Sequence, residues 1–295
     1  MSRAKPVPSA SDASASDAGE EIRFESGPYR LFGKLRVQDR RAPTILLLHG
    51  LGFHSFEYDG LAPRLARGGL NSLAFDFRCH GRSDGPRGRW VLQDLVEDAE
   101  NAVAFLSRCV EGRIGAFGNS LGAMVGVHLA ARTSRVESLV ASGCPTRVAG
   151  FAVTGLRTGL LGVMRAIARV VPIRISVNHF IPYRRILRDP RIIERVRRDP
   201  SITDARRFAP STYADMFGWN ALDVVARVKV PLLVLYAEQD GLQPADQSTM
   251  LFQAARCEKE IRSLATSHVP DLEDPERLAP ILLEWFDRTL RPERR

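Results

Sequence analysis

Arg113-Ile114-Gly115-Ala116-Phe117-Gly118-Asn119-Ser120-Leu121-Gly122-Ala123-Met124 reads as a buried strand that turns sharply into a helix, with Gly-x-Ser-x-Gly at the corner. This is the pattern of a nucleophile elbow, a strained strand-to-helix turn that lifts a serine hydroxyl above the carboxyl edge of a sheet. The glycines two residues before and after Ser120 let strand and helix approach without Cβ clashes. A glycine-flanked turn serine with no chemical role has the same five residues, so the surroundings of Ser120 decide its meaning.

Upstream, residues 22–37 alternate apolar and polar around Gly27-Pro28, the pattern of an opening hairpin. Thr44-Ile45-Leu46-Leu47-Leu48-His49 is then a continuous apolar run, as expected of a strand covered on both faces. A helical stretch from Phe56 to Arg67 leads to the strand Asn71–Asp76, and an amphipathic segment from Val91 to Cys109 leads to the elbow strand. Val136–Gly143 follows as another strand, after which the alternation stops for about seventy-five residues. It resumes at Val230–Ala237, with a helix over 245–255, a strand Glu258–Leu264 and a final helix Pro275–Leu290. Alternating strands and helices imply βαβ units, and hence an α/β fold with a mostly parallel sheet and flanking helices. The expected organisation is a disordered tail over 1–21, a core of 22–145 with 223–295, and an inserted, mainly helical cap over 146–222. Within the insert, arginines 157, 165 and 169 fall on one side of a helical projection of residues 151–171 and leave a broad apolar face opposite. That face packs onto the core, or lines an apolar channel or meets a lipid surface.

A serine at its free pKa is a weak nucleophile, so Ser120 needs a histidine base and a carboxylate that fixes the histidine's tautomer. With this elbow the chain order is serine, acid, histidine. Beyond the elbow helix only His179 and His268 follow. His268 falls between the last strand and the last helix, at the carboxyl edge that also carries Ser120, and is the first choice; His179, inside the insert, is the reserve. Asp240, just after the resumed strand, is the expected orienter, with Glu238 and Asp246 as rivals. Two backbone N–H groups must meet a tetrahedral oxyanion. Leu121, which opens the elbow helix, and Leu51, in the glycine-rich turn His49-Gly50-Leu51-Gly52, are the candidates. His49 and His80 read as loop-structuring residues, and His54 as either a pocket-mouth or an exposed side chain. This constellation asks for no metal and no organic cofactor.

The 295 residues carry 44% apolar residues and a net charge of +8, with arginine concentrated between about 147 and 207. That basic stretch does not interleave aromatic with basic residues in stacking fashion and carries no nucleic-acid motif, which argues against nucleic acid; the chain's expected partners are an acyl substrate and, through the arginine-rich insert, an anionic membrane surface. Cys79, Cys109, Cys144 and Cys257 are scattered, with neither disulfide nor zinc spacing, and no secretory leader or spanning segment is evident, so the cytoplasm is the expected location.

Taken in order, the elbow, the His-Gly turn, Asp76-x-Arg78-x-His80-Gly81-x-Ser83 and the Asp240 and His268 loops make the chain resemble the α/β-hydrolase superfamily over residues 22–145 and 223–290. The wording His49-Gly50-Leu51-Gly52-Phe53-His54-Ser55, Tyr58 and Gly81-Arg82-Ser83-Asp84-Gly85-Pro86-Arg87-Gly88 looks most like its monoacylglycerol lipase and lysophospholipase branch, also described as serine aminopeptidase-like. The chain departs from that branch at Asn119, where histidine is usual, and at Ala123, where a second glycine is usual. The resemblance implies ester hydrolysis through an acyl-enzyme on Ser120. It leaves thioester, peptide and carbon-carbon bond hydrolysis open, along with a non-catalytic binding scaffold, and disfavours dehalogenase and epoxide-hydrolase chemistry, whose elbow carries aspartate.

Overall fold

The computed structural model describes residues 19–146, 173–216 and 218–291. The N-terminal tail as far as residue 18 and the insert's amphipathic stretch over 151–171 lie outside them. Strands β1 (Glu20–Ser26) and β2 (Tyr29–Arg36) form the opening hairpin, turning at Gly27 with φ of 54°. They are followed by β3 (Thr44–Leu48), β4 (Asn71–Phe75), β5 (Ile114–Asn119) and β6 (Val136–Ser142). Next comes a two-residue ladder of β7 (Ile175–Ser176) with β8 (Arg207–Phe208), then β9 (Leu232–Ala237) and β10 (Lys259–Leu264). Eight of these strands form one sheet in the order β1-β2-β4-β3-β5-β6-β9-β10. From β4 to β10 every pairing is parallel, so β3, β5, β9 and β10 end at the same edge.

The continuous apolar run of β3 has the cause its sequence suggests. Leu46 and Leu48 pack in a core with α2 (Leu92–Cys109) and α3 (Leu121–Ala130). Ile45 and Leu47 point the other way, into a core with α1 (Leu61–Arg67) and the C-terminal helix Pro275–Leu290. Both faces are apolar because a helix layer covers each. On the second face the buried Trp285 also fixes the helix to the sheet, donating from its indole N–H to Ser138 Oγ on β6 at 2.9 Å.

The helix expected from Phe56 to Arg67 is interrupted: a 3-10 turn, Ser55–Tyr58, precedes α1. Its C-terminal end is held by two separate partners, Tyr58 donating to the Leu48 carbonyl at 2.6 Å and Asp59 accepting from Lys34 Nζ at 2.6 Å, and Gly60 separates them from α1. Between β6 and β9 the described chain is mostly short helices, Tyr183–Ile186, Pro190–Arg198, Pro200–Ala205, Pro210–Met216 and Leu222–Val225. Ile186, Leu187, Val196 and Ile202 pack with Phe53 and Phe56, so this region sits over the turn that follows β3. Among the described residues no helix is long and apolar enough to cross a membrane.

Candidate active site

The elbow is built as its spacing requires. Ser120 joins β5 to α3 with φ of 54° and ψ of −114°, a conformation rarely open to residues with a Cβ, and such strain costs about 1–3 kcal/mol. The glycines make room for it. A Cβ on Gly118 would lie 2.2 Å from the Gly122 carbonyl oxygen, and one on Gly122 would lie 1.8 Å from that of Leu48. Gly122→Ala therefore drives the start of α3 away from the end of β3; we expect a loss of about 1–3 kcal/mol in urea denaturation, the usual range for overpacking.

Asp240 and His268 meet although they lie on separate loops after β9 and β10. His268 Nδ1–H donates to Asp240 Oδ2 at 2.6 Å, and the two side chains are 3% and 2% exposed, so solvent does not compete for the bond. The other oxygen, Asp240 Oδ1, accepts the backbone N–H groups of Leu242 and Gln243 at 2.7 and 2.8 Å, which fixes the carboxylate's orientation. A proton on Nδ1 leaves the lone pair on Nε2. That atom is buried and has no hydrogen-bond partner among the described residues. The histidine loop is tied to the elbow itself, because Asn119, the residue before Ser120, donates its side-chain amide to the His268 carbonyl at 3.1 Å. Asn119, a departure from the lipase branch, thus holds the two loops together.

The other candidates stand elsewhere. His179 is exposed at the end of the Val177–His179 turn, Glu238 is exposed and accepts from Ser263, and Asp246 is exposed at the start of the helix Ala245–Ala254. His49 is fully buried; its Nε2 accepts the Phe77 N–H at 3.1 Å, so Nδ1 carries the proton and donates to the Gly50 carbonyl at 2.9 Å. Burial, with His80 close by, holds its pKa well below the ordinary histidine value, and burial takes His80 down to about 4, so both stay neutral loop supports. His54 turns to the insert, 3.0 Å from Ser201 Oγ.

The turn with Leu51 lies against the elbow, a Cβ on Gly50 falling 3.8 Å from the Asn119 carbonyl. Two groups that composition did not single out hold this turn. Glu57, fully buried, accepts the Gly50 N–H at 2.8 Å. From the insert, Arg206 donates to the Leu51 carbonyl at 3.3 Å, to the Ile181 carbonyl at 2.6 Å and to Asn178 Oδ1 at 2.6 Å, and stacks 4.6 Å from the Tyr183 ring. Burial lowers its pKa to about 10. Gly52, at φ of 72°, passes so close that a Cβ there would lie 2.3 Å from Arg206 Cγ.

Comparison with known proteins agrees with this architecture. Residues 39–267 match the family described as serine aminopeptidase, S33. The chain is 26% identical over 263 residues to an uncharacterized 31.7 kDa protein of the traX-finO intergenic region of Escherichia coli, covering 84% of this chain and 91% of that protein. It is 27% identical over 218 residues to a monoacylglycerol lipase of Mycolicibacterium smegmatis, covering 70% and 74% respectively. Among solved structures, the monoacylglycerol lipase of Paleococcus ferrophilus superposes with a TM-score of 0.70 at 24% identity, covering 88% of this chain and 99% of that one. Sheet order, elbow and matched profile agree: the chain belongs to the serine aminopeptidase S33 family of α/β hydrolases.

Proposed function

We propose that the protein is a serine hydrolase of carboxylic esters with medium or long acyl chains, such as a monoacylglycerol or lysophospholipid. The observation that carries this reading is the His268–Asp240 pair, with a free, buried Nε2 on a loop bonded to the residue before Ser120. In the proposed reaction Ser120 Oγ attacks the ester carbonyl carbon while His268 Nε2 takes the hydroxyl proton, and that proton then passes to the departing alkoxide, leaving an acyl-enzyme. Water is next deprotonated by Nε2, attacks the acyl carbon and releases the carboxylic acid as the proton returns to Ser120. Asp240 keeps Nδ1 protonated throughout, and the N–H groups of Leu51 and Leu121 receive the oxyanion. No metal or organic cofactor enters these steps.

The acyl preference is supported by the resemblance to the lipase branch and by the named activity of the Mycolicibacterium relative. We place the enzyme in the cytoplasm, on its four free thiols, and at the surface of anionic membranes, on the exposed Arg184, Arg191, Arg195, Arg197 and Arg198 of the insert. A fluorophosphonate probe is expected to label the purified protein, and p-nitrophenyl octanoate to be turned over faster than the acetate or butyrate. Folded protein that takes up no probe would favour a binding scaffold, and a preference for acetate or butyrate would remove the lipid reading. Vesicles containing phosphatidylserine should bind the protein with an affinity that falls with salt; salt-insensitive or absent binding would sink the membrane role.

A further inference from the structure

Glu57 and Asp271 are both fully buried, one in the 3-10 turn after the Leu51 loop and the other in the short helix Pro270–Glu273 that follows His268. Glu57 Oε2 is engaged by the Gly50 N–H. Glu57 Oε1 and both oxygens of Asp271 receive no N–H or O–H from any other described residue. The two carboxyls face each other instead, and a charge on Asp271 would repel one on Glu57. Two ionised carboxylates hold no donor between them, so a hydrogen bond joins them only while a proton stays on the pair.

We propose that Glu57 and Asp271 are positioning residues whose retained proton links the turn presenting Leu51 to the helix behind His268, holding oxyanion donor and general base in register. The inference rests on the roles given to Leu51 and His268 above. By occupying the Gly50 N–H, Glu57 makes the Leu51 N–H the next donor along the turn. By accepting from Glu57, Asp271 fixes the helix Pro270–Glu273, which starts two residues after His268.

Burial pushes the Asp271 carboxyl up to about 7, and burial together with repulsion from Asp271 raises Glu57 well above the carboxylate range. Among the described residues, the surrounding groups supply no compensating cation. Tyr58, on the same turn, donates to the Leu48 carbonyl. Asp76, at the end of β4, accepts from the Ser55 and Arg82 N–H groups. Glu273, on the Asp271 helix, is taken by Ser267 and by the Arg188 and Asp189 N–H groups. His49, at the end of β3, is neutral, and from the insert Arg195 stacks over Phe56 while Arg206 is spent on Asn178 and the Leu51 and Ile181 carbonyls.

The test compares full-length wild type with Glu57→Gln, Glu57→Ala and Asp271→Asn, reading kcat and KM for p-nitrophenyl octanoate against pH, and melting temperature against pH. A glutamine amide donates to Asp271 and accepts from Gly50 without a titrating proton. Glu57→Gln should therefore keep kcat within about threefold near neutrality and lose an alkaline fall of kcat that wild type shows. Glu57→Ala, which frees the turn, should lower kcat about tenfold or more with KM little changed, as small misplacements of catalytic groups do. The melting arm follows from linkage. An acid with a raised folded pKa stabilises most below its unfolded value of ~4, and that stability is lost as pH rises towards the folded value of about 7. Asp271→Asn should flatten this decline. An active wild type whose alkaline limb persists in Glu57→Gln, or a Glu57→Ala enzyme with wild-type kcat, overturns the proposal. A wild type inert to ester and probe overturns the hydrolase reading and with it the positioning roles, while an undiminished melting slope in Asp271→Asn refutes the retained proton whether or not the chain is active.

Discussion

Replacing Ser120 by alanine should lower ester turnover by about 10³-fold or more and abolish fluorophosphonate labelling. The size of the effect follows from what remains when the hydroxyl is gone. His268 Nε2 still has its lone pair and the proposed oxyanion donors, the N–H groups of Leu51 and Leu121, are untouched, but no side-chain oxygen forms the acyl bond, so only positioning and charge stabilisation survive. The fold should not obscure the result. Serine and alanine meet the same penalty at φ of 54°, because both carry a Cβ, and the elbow's backbone bonds, Ser120 N–H to Ser142 and Met124 N–H to Ser120, do not use the side chain. An unchanged melting temperature alongside lost turnover would assign the loss to chemistry. Activity within tenfold of wild type would remove Ser120 from the mechanism.

What the sequence shows of this protein depends on whether a constraint is local. Strand β3 was legible because all five of its residues are buried, Ile45 and Leu47 under one helix layer and Leu46 and Leu48 under the other, and double-sided burial leaves an unbroken apolar run. The elbow was legible because the clash that forces glycine at 118 acts on residue 122, four positions on, although the one that forces glycine at 122 comes from distant Leu48. Asp240 and His268 were legible as addresses, since each follows a strand ending at the same edge. The break between Tyr58 and Leu61 was not, because the partners that impose it, Leu48 and Lys34, are distant in sequence. Nor was the Glu57–Asp271 pair: each acid alone is an ordinary polar residue of a loop, and its meaning arises only where two loops are buried together. Arg206 shows the same blindness in a charged stretch. Its neighbour Arg207 is exposed as composition suggests, whereas Arg206 is 1% exposed and holds the turn after β3.

Asp240→Asn should cost about 10³–10⁴-fold in kcat, although it changes no more than an oxygen to an amide nitrogen. The reason lies in the partners of the second carboxylate oxygen. Asp240 Oδ1 accepts from the N–H groups of Leu242 and Gln243, so an asparagine must leave its carbonyl oxygen there and turn its NH₂ towards His268. A donor facing Nδ1 makes that nitrogen the acceptor and moves the ring proton to Nε2. The imidazole then offers Ser120 an N–H where the reaction needs a lone pair. Substrate binding does not use Asp240, so KM should stay within a few-fold, and nitrogen-15 spectra of His268 should show the proton on Nδ1 in wild type and on Nε2 in the variant. A variant with wild-type tautomer and turnover within tenfold would show that the 2.6 Å contact between His268 and Asp240 does not govern the base. The reversed tautomer with normal turnover would instead remove His268 Nε2 as the proton acceptor.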